Sequence, residues 1–101
     1  MTPAARIAAA IELLAAVDDA PERPADAVAN EWFRARRFIG AGDRRVVAER
    51  VWQIVRARRR LEWRLRGTPP TPRLLVRMTQ RQLLQAVDQA FAESFEPNGL
   101  V

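Results

Sequence analysis

The sequence predicts an all-α fold, a bundle of helices in one domain, and three observations carry that prediction. Apolar residues recur every three or four positions along the chain, the period of an amphipathic helix, and no stretch alternates as a half-buried strand does. Proline, glycine and threonine fall between the periodic stretches, where helices start and stop. At 101 residues with 49% apolar side chains there is material for a single core.

Thr2-Pro3 has the form of an N-cap followed by proline at the first helical position. Ile7, Ile11 and Leu14 follow at i, i+4 and i+7, with Leu13 and Val17 widening the stripe, and Asp18-Asp19 and Pro21 end it. A second helix is predicted from about Ala25 to Arg37, burying Val28, Trp32 and Phe33. Gly40-Ala41-Gly42 then reads as a plain turn rather than a phosphate cradle. Asp43 stands where an N-cap belongs, so it would occupy the free N–H groups of the next helix and repel an anion. From Asp43 a long helix runs to about Arg66, roughly 36 Å at the usual rise per residue. Gly67 takes the position after its end, and Thr68-Pro69-Pro70-Thr71-Pro72 is a stiff connector. Thr71-Pro72 can start a fourth helix carrying Leu74, Leu75 and Met78. Alternatively, the capping-box spacing of Thr79 and Gln82 starts a fresh helix there, with Leu83, Leu84, Val87, Phe91 and Phe95. One helical domain over 1–95 and a flexible tail over 96–101 are the expectation.

Charge is concentrated. Between Arg34 and Arg66 twelve arginines face three acids, Asp43, Glu49 and Glu62, a formal +9 within an overall +5. The rest of the chain holds five arginines and nine acids. A one-sided positive field of this kind favours a polyanion, and nucleic acid is the commonest large one. All seventeen basic residues are arginine, whose planar guanidinium stacks on bases and grips phosphate oxygens in pairs.

The absence of cysteine and histidine excludes a thiol nucleophile, a disulfide framework, an imidazole base and the usual zinc sites. No cofactor or metal is expected. The longest apolar stretch, Ile7 to Val17, is interrupted by Glu12 and falls short of the ~18 residues of a membrane span. A single preceding arginine and the lack of a cleavage site argue against a secretory signal. The expectation is a soluble cytoplasmic protein with no membrane partner.

The long helix sorts into faces when Val47 is set at zero and each residue advances about 100°. Val47, Val51, Ile54, Leu61 and Leu65 form the core stripe, with Val55 at its margin and Arg58 inside it. Arg58 has Glu62 as its only acid at helical spacing, so Arg58→Met is expected to be neutral or stabilising. On the back of the helix, Arg45, Trp52, Arg56, Arg59 and Trp63 fall within about 60° of one another. Rings interleaved with guanidinium groups suit single-stranded nucleic acid, the rings stacking bases and the arginines tracking phosphates. The two indoles have an equally ordinary use, packing against a neighbouring helix. The residues singled out for nucleic-acid binding are Arg45, Arg56, Arg59, Arg60 and Trp63.

From Phe38 to Leu65 the chain reads FIGAGDRRVVAERVWQIVRARRRLEWRL. This resembles the helical N-terminal domain of bacterial ribosomal-RNA cytosine-C5 methyltransferases of the RsmB/NOP type, which shares its fold with the antitermination factor NusB. The pattern is a G-x-x-D-R turn, an aliphatic–aromatic pair, an arginine run and L-[DE]-W. It is carried by Gly40, Asp43, Arg44, Val51, Trp52, Arg58, Arg59, Arg60, Leu61, Glu62 and Trp63. The opening TPAARI and the later PTPRLLV are similar to that family too, so the likeness covers roughly 2–76.

The resemblance implies a NusB-like bundle that associates with RNA, ribosomal RNA in that family, ahead of a methyltransferase domain. No cysteine is present to attack C6 of cytosine, and no Gly-rich strand–helix turn is present to hold S-adenosylmethionine. The expectation is therefore a non-catalytic RNA-binding or docking domain. The alternatives are a protein–protein module that takes a partner helix or an acidic protein, and a fragment without a role of its own.

Overall fold

The computed structural model describes residues 1–79 and 89–93. Four helices follow one another: α1 Pro3–Asp18, α2 Ala25–Arg34, α3 Ala41–Leu65 and α4 Pro72–Met78, and residues 89–93 are helical too. There is no strand among the described residues, and the all-α expectation holds.

Two helix starts are those read from the sequence. The Thr2 side chain accepts the Ala5 N–H at 3.1 Å ahead of Pro3, and the Thr71 side chain accepts the Leu74 N–H at 3.2 Å ahead of Pro72. Each hydroxyl satisfies an amide that the first turn leaves without a carbonyl. The far end of α3 also follows expectation, with Gly67 just past it at φ 90°. Arg66 before it adopts φ 42°, a left-handed conformation that costs an L-residue about 1 kcal/mol or more. Its guanidinium lies 5.0 Å from the centroid of the Trp63 ring, a contact that offsets part of that cost.

Two boundaries differ from expectation. Helix α2 ends at Arg34, not Arg37, because the chain turns to drive Ile39 into the core, where it is 2% exposed. The Ile39 N–H reaches the Arg36 carbonyl at 3.0 Å to close that turn. Helix α3 begins at Ala41 with Gly40 as its extended N-cap, so Ala41 and Gly42 are helix rather than turn and Asp43 is not the cap. Asp43 is drawn elsewhere by two cations, as described below. Thr79 is buried and donates to the Val76 carbonyl at 2.6 Å, closing α4. Gln82, Leu83, Leu84, Val87, Phe95 and the tail over 96–101 lie outside the described residues.

The hub is α1. It packs on α2, α3 and α4, and α3 packs on α4 as well. An alanine-rich helix with Ala9, Ala10, Leu13 and Leu14 buried suits that place, since small side chains let neighbours come close on several sides. The core continues through Trp32, Phe33, Val47, Val51, Ile54, Leu61, Leu75 and Val76. Trp32 and Phe33 meet edge to face at 5.1 Å. The core stripe of α3 is confirmed, apart from Val55, which is exposed, and Leu65, which is half-buried.

Candidate nucleic-acid interface

The arginines of the positive segment divide into those the fold has used and those it has not. Arg58 belongs to the first kind. It donates from Nε to Glu62 at 2.8 Å and from one terminal nitrogen to both oxygens of Asp18, at 3.0 and 3.2 Å. Asp18 is the last residue of α1, where a carboxylate faces the negative end of the helix dipole. Arg58 offsets that charge and ties α1 to α3. Burial opposes the charge on Arg58, but the Glu62 hydrogen bond and the Asp18 charge outweigh it and raise its pKa. The premise that Glu62 is the only acid within reach of Arg58 is thereby corrected, and Arg58→Met is now expected to cost stability. Its second partner, Asp18, lies 40 residues away, beyond helical spacing.

Asp43 is the second non-local anchor. Its carboxylate accepts the N-terminal ammonium of Met1 at 3.0 Å and Nε of Arg6 at 2.8 Å. The hydrogen bonds from the N-terminus and from Arg6 hold the Asp43 carboxyl below its ordinary value. At the third position of α3 it also faces the positive end of the helix dipole.

The residues singled out for nucleic-acid binding are not alike. Arg45 and Arg59 are exposed, with no carboxylate partner among the described residues. Arg56 is exposed but reaches Glu49 at 2.8 Å. Arg60 is half-buried and engaged rather than free. Trp63 is half-buried, with the Phe91 ring edge-on at 5.5 Å and the Arg66 guanidinium close to its own ring. The other indole of the strip, Trp52, packs against the core and lines a groove of about 400 Å³ between α2 and α3. Helix packing is therefore a use both indoles have.

A cluster that the helical-wheel argument missed stands at the α2–α3 corner. Asn30, Arg34, Arg37 and Arg44, all exposed, line a concavity of about 500 Å³ whose wall includes no acid. None of the three arginines has a carboxylate partner among the described residues. Arg44 is steadied over the Phe33 ring at 5.4 Å. Arg36 turns inward instead, 4.1 Å from the Trp32 centroid and donating to the Trp32 carbonyl. Beside them Phe38 is 80% exposed, thrown out by the same turn that buries Ile39. One local signal for this site existed, since Asn30, Arg34 and Arg37 are spaced i, i+4, i+7. Arg44 joins them only through the fold.

Among the described residues no three acids gather as metal ligands, and no helix is long and apolar enough to cross a membrane. Compared with protein-family models, with curated proteins and with solved structures, the chain has no match in any of the three.

Proposed function

We propose that this chain is a NusB-like helical domain that binds RNA in the cytoplasm by electrostatic capture and carries out no catalysis itself. The observation that supports this is the state of its arginines. Of the twelve between Arg34 and Arg66, Arg56 and Arg58 pair with carboxylates, Arg60 is engaged, and the other nine have no carboxylate partner among the described residues. A surplus of one sign held on a rigid helical frame attracts a polyanion and releases its counterions on contact. On the back of α3, Arg45 and Arg59 are ready for phosphates. Arg56 joins them by releasing Glu49, an exposed pair worth less than about 1 kcal/mol. Arg60 and Trp63 flank the strip, and Trp63 offers a base only the part of its ring that Phe91 and Arg66 leave open. Ribosomal RNA and a downstream methyltransferase domain are the partners that the family resemblance implies.

The test is a titration of single-stranded RNA against the purified protein over a range of salt. With about four phosphates engaged, log K falls with log[salt] at a slope near −3, roughly a 50-fold loss between 50 and 200 mM. Arg56→Ala with Arg59→Ala is expected to flatten that slope by about one to two units and to weaken all sequences alike. A tryptophan-anchored protein interface would respond to salt only modestly. No RNA binding at ~50 mM salt would overturn the proposal in favour of a protein-docking module.

A further inference from the structure

We infer that the α2–α3 corner is a single-strand RNA subsite, in which Arg34, Arg37 and Arg44 take backbone phosphate and Phe38 stacks a base. The inference rests on the RNA-binding proposal and assigns that function a second place on the molecule, away from the strip on the back of α3. Three observations converge on it. The concavity holds about 500 Å³ and is lined by three guanidinium groups and one carboxamide. The arginines are exposed and are not neutralised by any carboxylate among the described residues. The one acid lining the adjoining groove, Asp26, accepts its neighbour's N–H, from Ala27 at 2.9 Å, and pairs with no arginine among the described residues.

The corner is also built to stay in place. Ile39 plugs the core two residues before α3 begins, and Arg36 clamps the end of α2 by its contacts to Trp32. Between these two anchors Phe38 has no inward choice and presents its ring to solvent. A lone exposed phenylalanine is unremarkable on most surfaces. Here it directly follows Arg37, so a base on the ring places its own phosphates within reach of the cluster. Stacking on an aromatic ring with arginines tracking the backbone is how single strands are held without sequence preference. A duplex keeps its bases paired and offers only its phosphates. Asn30 supplies the one neutral donor and acceptor in the concavity, suited to a base edge or a ribose hydroxyl.

The experiment uses fluorescence anisotropy of the full chain with a single-stranded oligouridylate and with an RNA duplex of the same length. Phe38→Ala is expected to weaken the single strand by roughly 5- to 150-fold and to leave the duplex unchanged. Phe38→Tyr, which keeps the ring, is expected to restore single-strand affinity. Arg34→Gln with Arg37→Gln is expected to reduce the salt slope on the single strand by about 1.4. Since Phe38 is so exposed, a circular-dichroism melt of Phe38→Ala should match the parent. Full single-strand affinity in folded Phe38→Ala and Arg34→Gln/Arg37→Gln, with loss on Arg45→Gln/Arg59→Gln, would overturn this subsite and leave the RNA proposal standing. If the parent protein binds neither RNA at ~50 mM salt, the RNA proposal falls and this subsite falls with it.

Discussion

The α1–α3 seam and the α2–α3 corner treat the same side chain in opposite ways. At the seam Arg58 sits between Asp18 and Glu62, about a third exposed, and its charge is consumed in joining two helices. At the corner Arg34, Arg37 and Arg44 stand in solvent around a concavity that contains no acid. The twelve arginines of the segment are thus not one patch. Some are structural and carry no free charge outward, while others keep their charge for whatever meets them. Density of arginine in a sequence measures the sum of both kinds and says nothing of the division.

The largest expected effect tests the scaffold of the corner rather than its charges. Ile39→Ala removes a side chain that is 2% exposed, and the cavity left should cost about 2–4 kcal/mol in chemical denaturation. A loss below about 1 kcal/mol would mean that the turn does not hold the arginine cluster in place. Next comes the seam. Arg58→Met is expected to cost about 1–2 kcal/mol, less than the loss of a fully buried pair because both partners are partly exposed. The double-mutant cycle with Asp18→Asn should recover most of that cost as coupling, and additive losses would show that the contact is idle.

Asp43 gives a smaller effect with a defined pH dependence. Its native carboxyl is held below the unfolded value by Met1 and Arg6, so the stabilisation is full above about pH 4. As pH falls through the native value, the carboxylate takes up a proton and the stabilisation is lost. Asp43→Asn should therefore lower Tm at pH 7, and the gap to the parent should close in strong acid. A gap that persists unchanged in acid would locate the effect in packing rather than charge. Smallest of all is Arg37→Gln, an exposed arginine with no partner among the described residues, expected to change stability by no more than about 0.5 kcal/mol. If it costs as much as Arg58→Met, the contrast between seam and corner disappears.

Much of the fold was legible in the sequence because it is written in short-range terms. The caps Thr2 and Thr71, the prolines behind them and Gly67 after α3 act within a few residues of themselves. The Val47, Val51, Ile54, Leu61 stripe follows from helical period alone, and all four are buried. Less of the candidate site was legible. Arg45, Arg56, Arg59 and Trp63 share a face of the isolated helix, and Glu49, two turns before Arg56 on that same face, was legible there too, whereas the arrival of Phe91 at Trp63 depends on the fold. Phe38 and Arg37 lie in the loop, outside any helical face. Asp43 departs from the expected cap for a related reason. A carboxylate before an apolar stripe has the look of a cap, but the cations that claim it come from the start of the chain.

What the sequence determined by itself is the helical period, most of the punctuation and the confinement of positive charge to one segment, since each depends on residues close together along the chain. The tertiary structure alone decided that α1 is the hub, that Asp18 finds Arg58 across 40 residues, and that Arg44 joins Asn30, Arg34 and Arg37 around one concavity. The reason is physical. Periodicity and capping are settled within a few turns of one helix, whereas the pairing of a charge depends on which helices pack together, and that is fixed by burying the whole core at once.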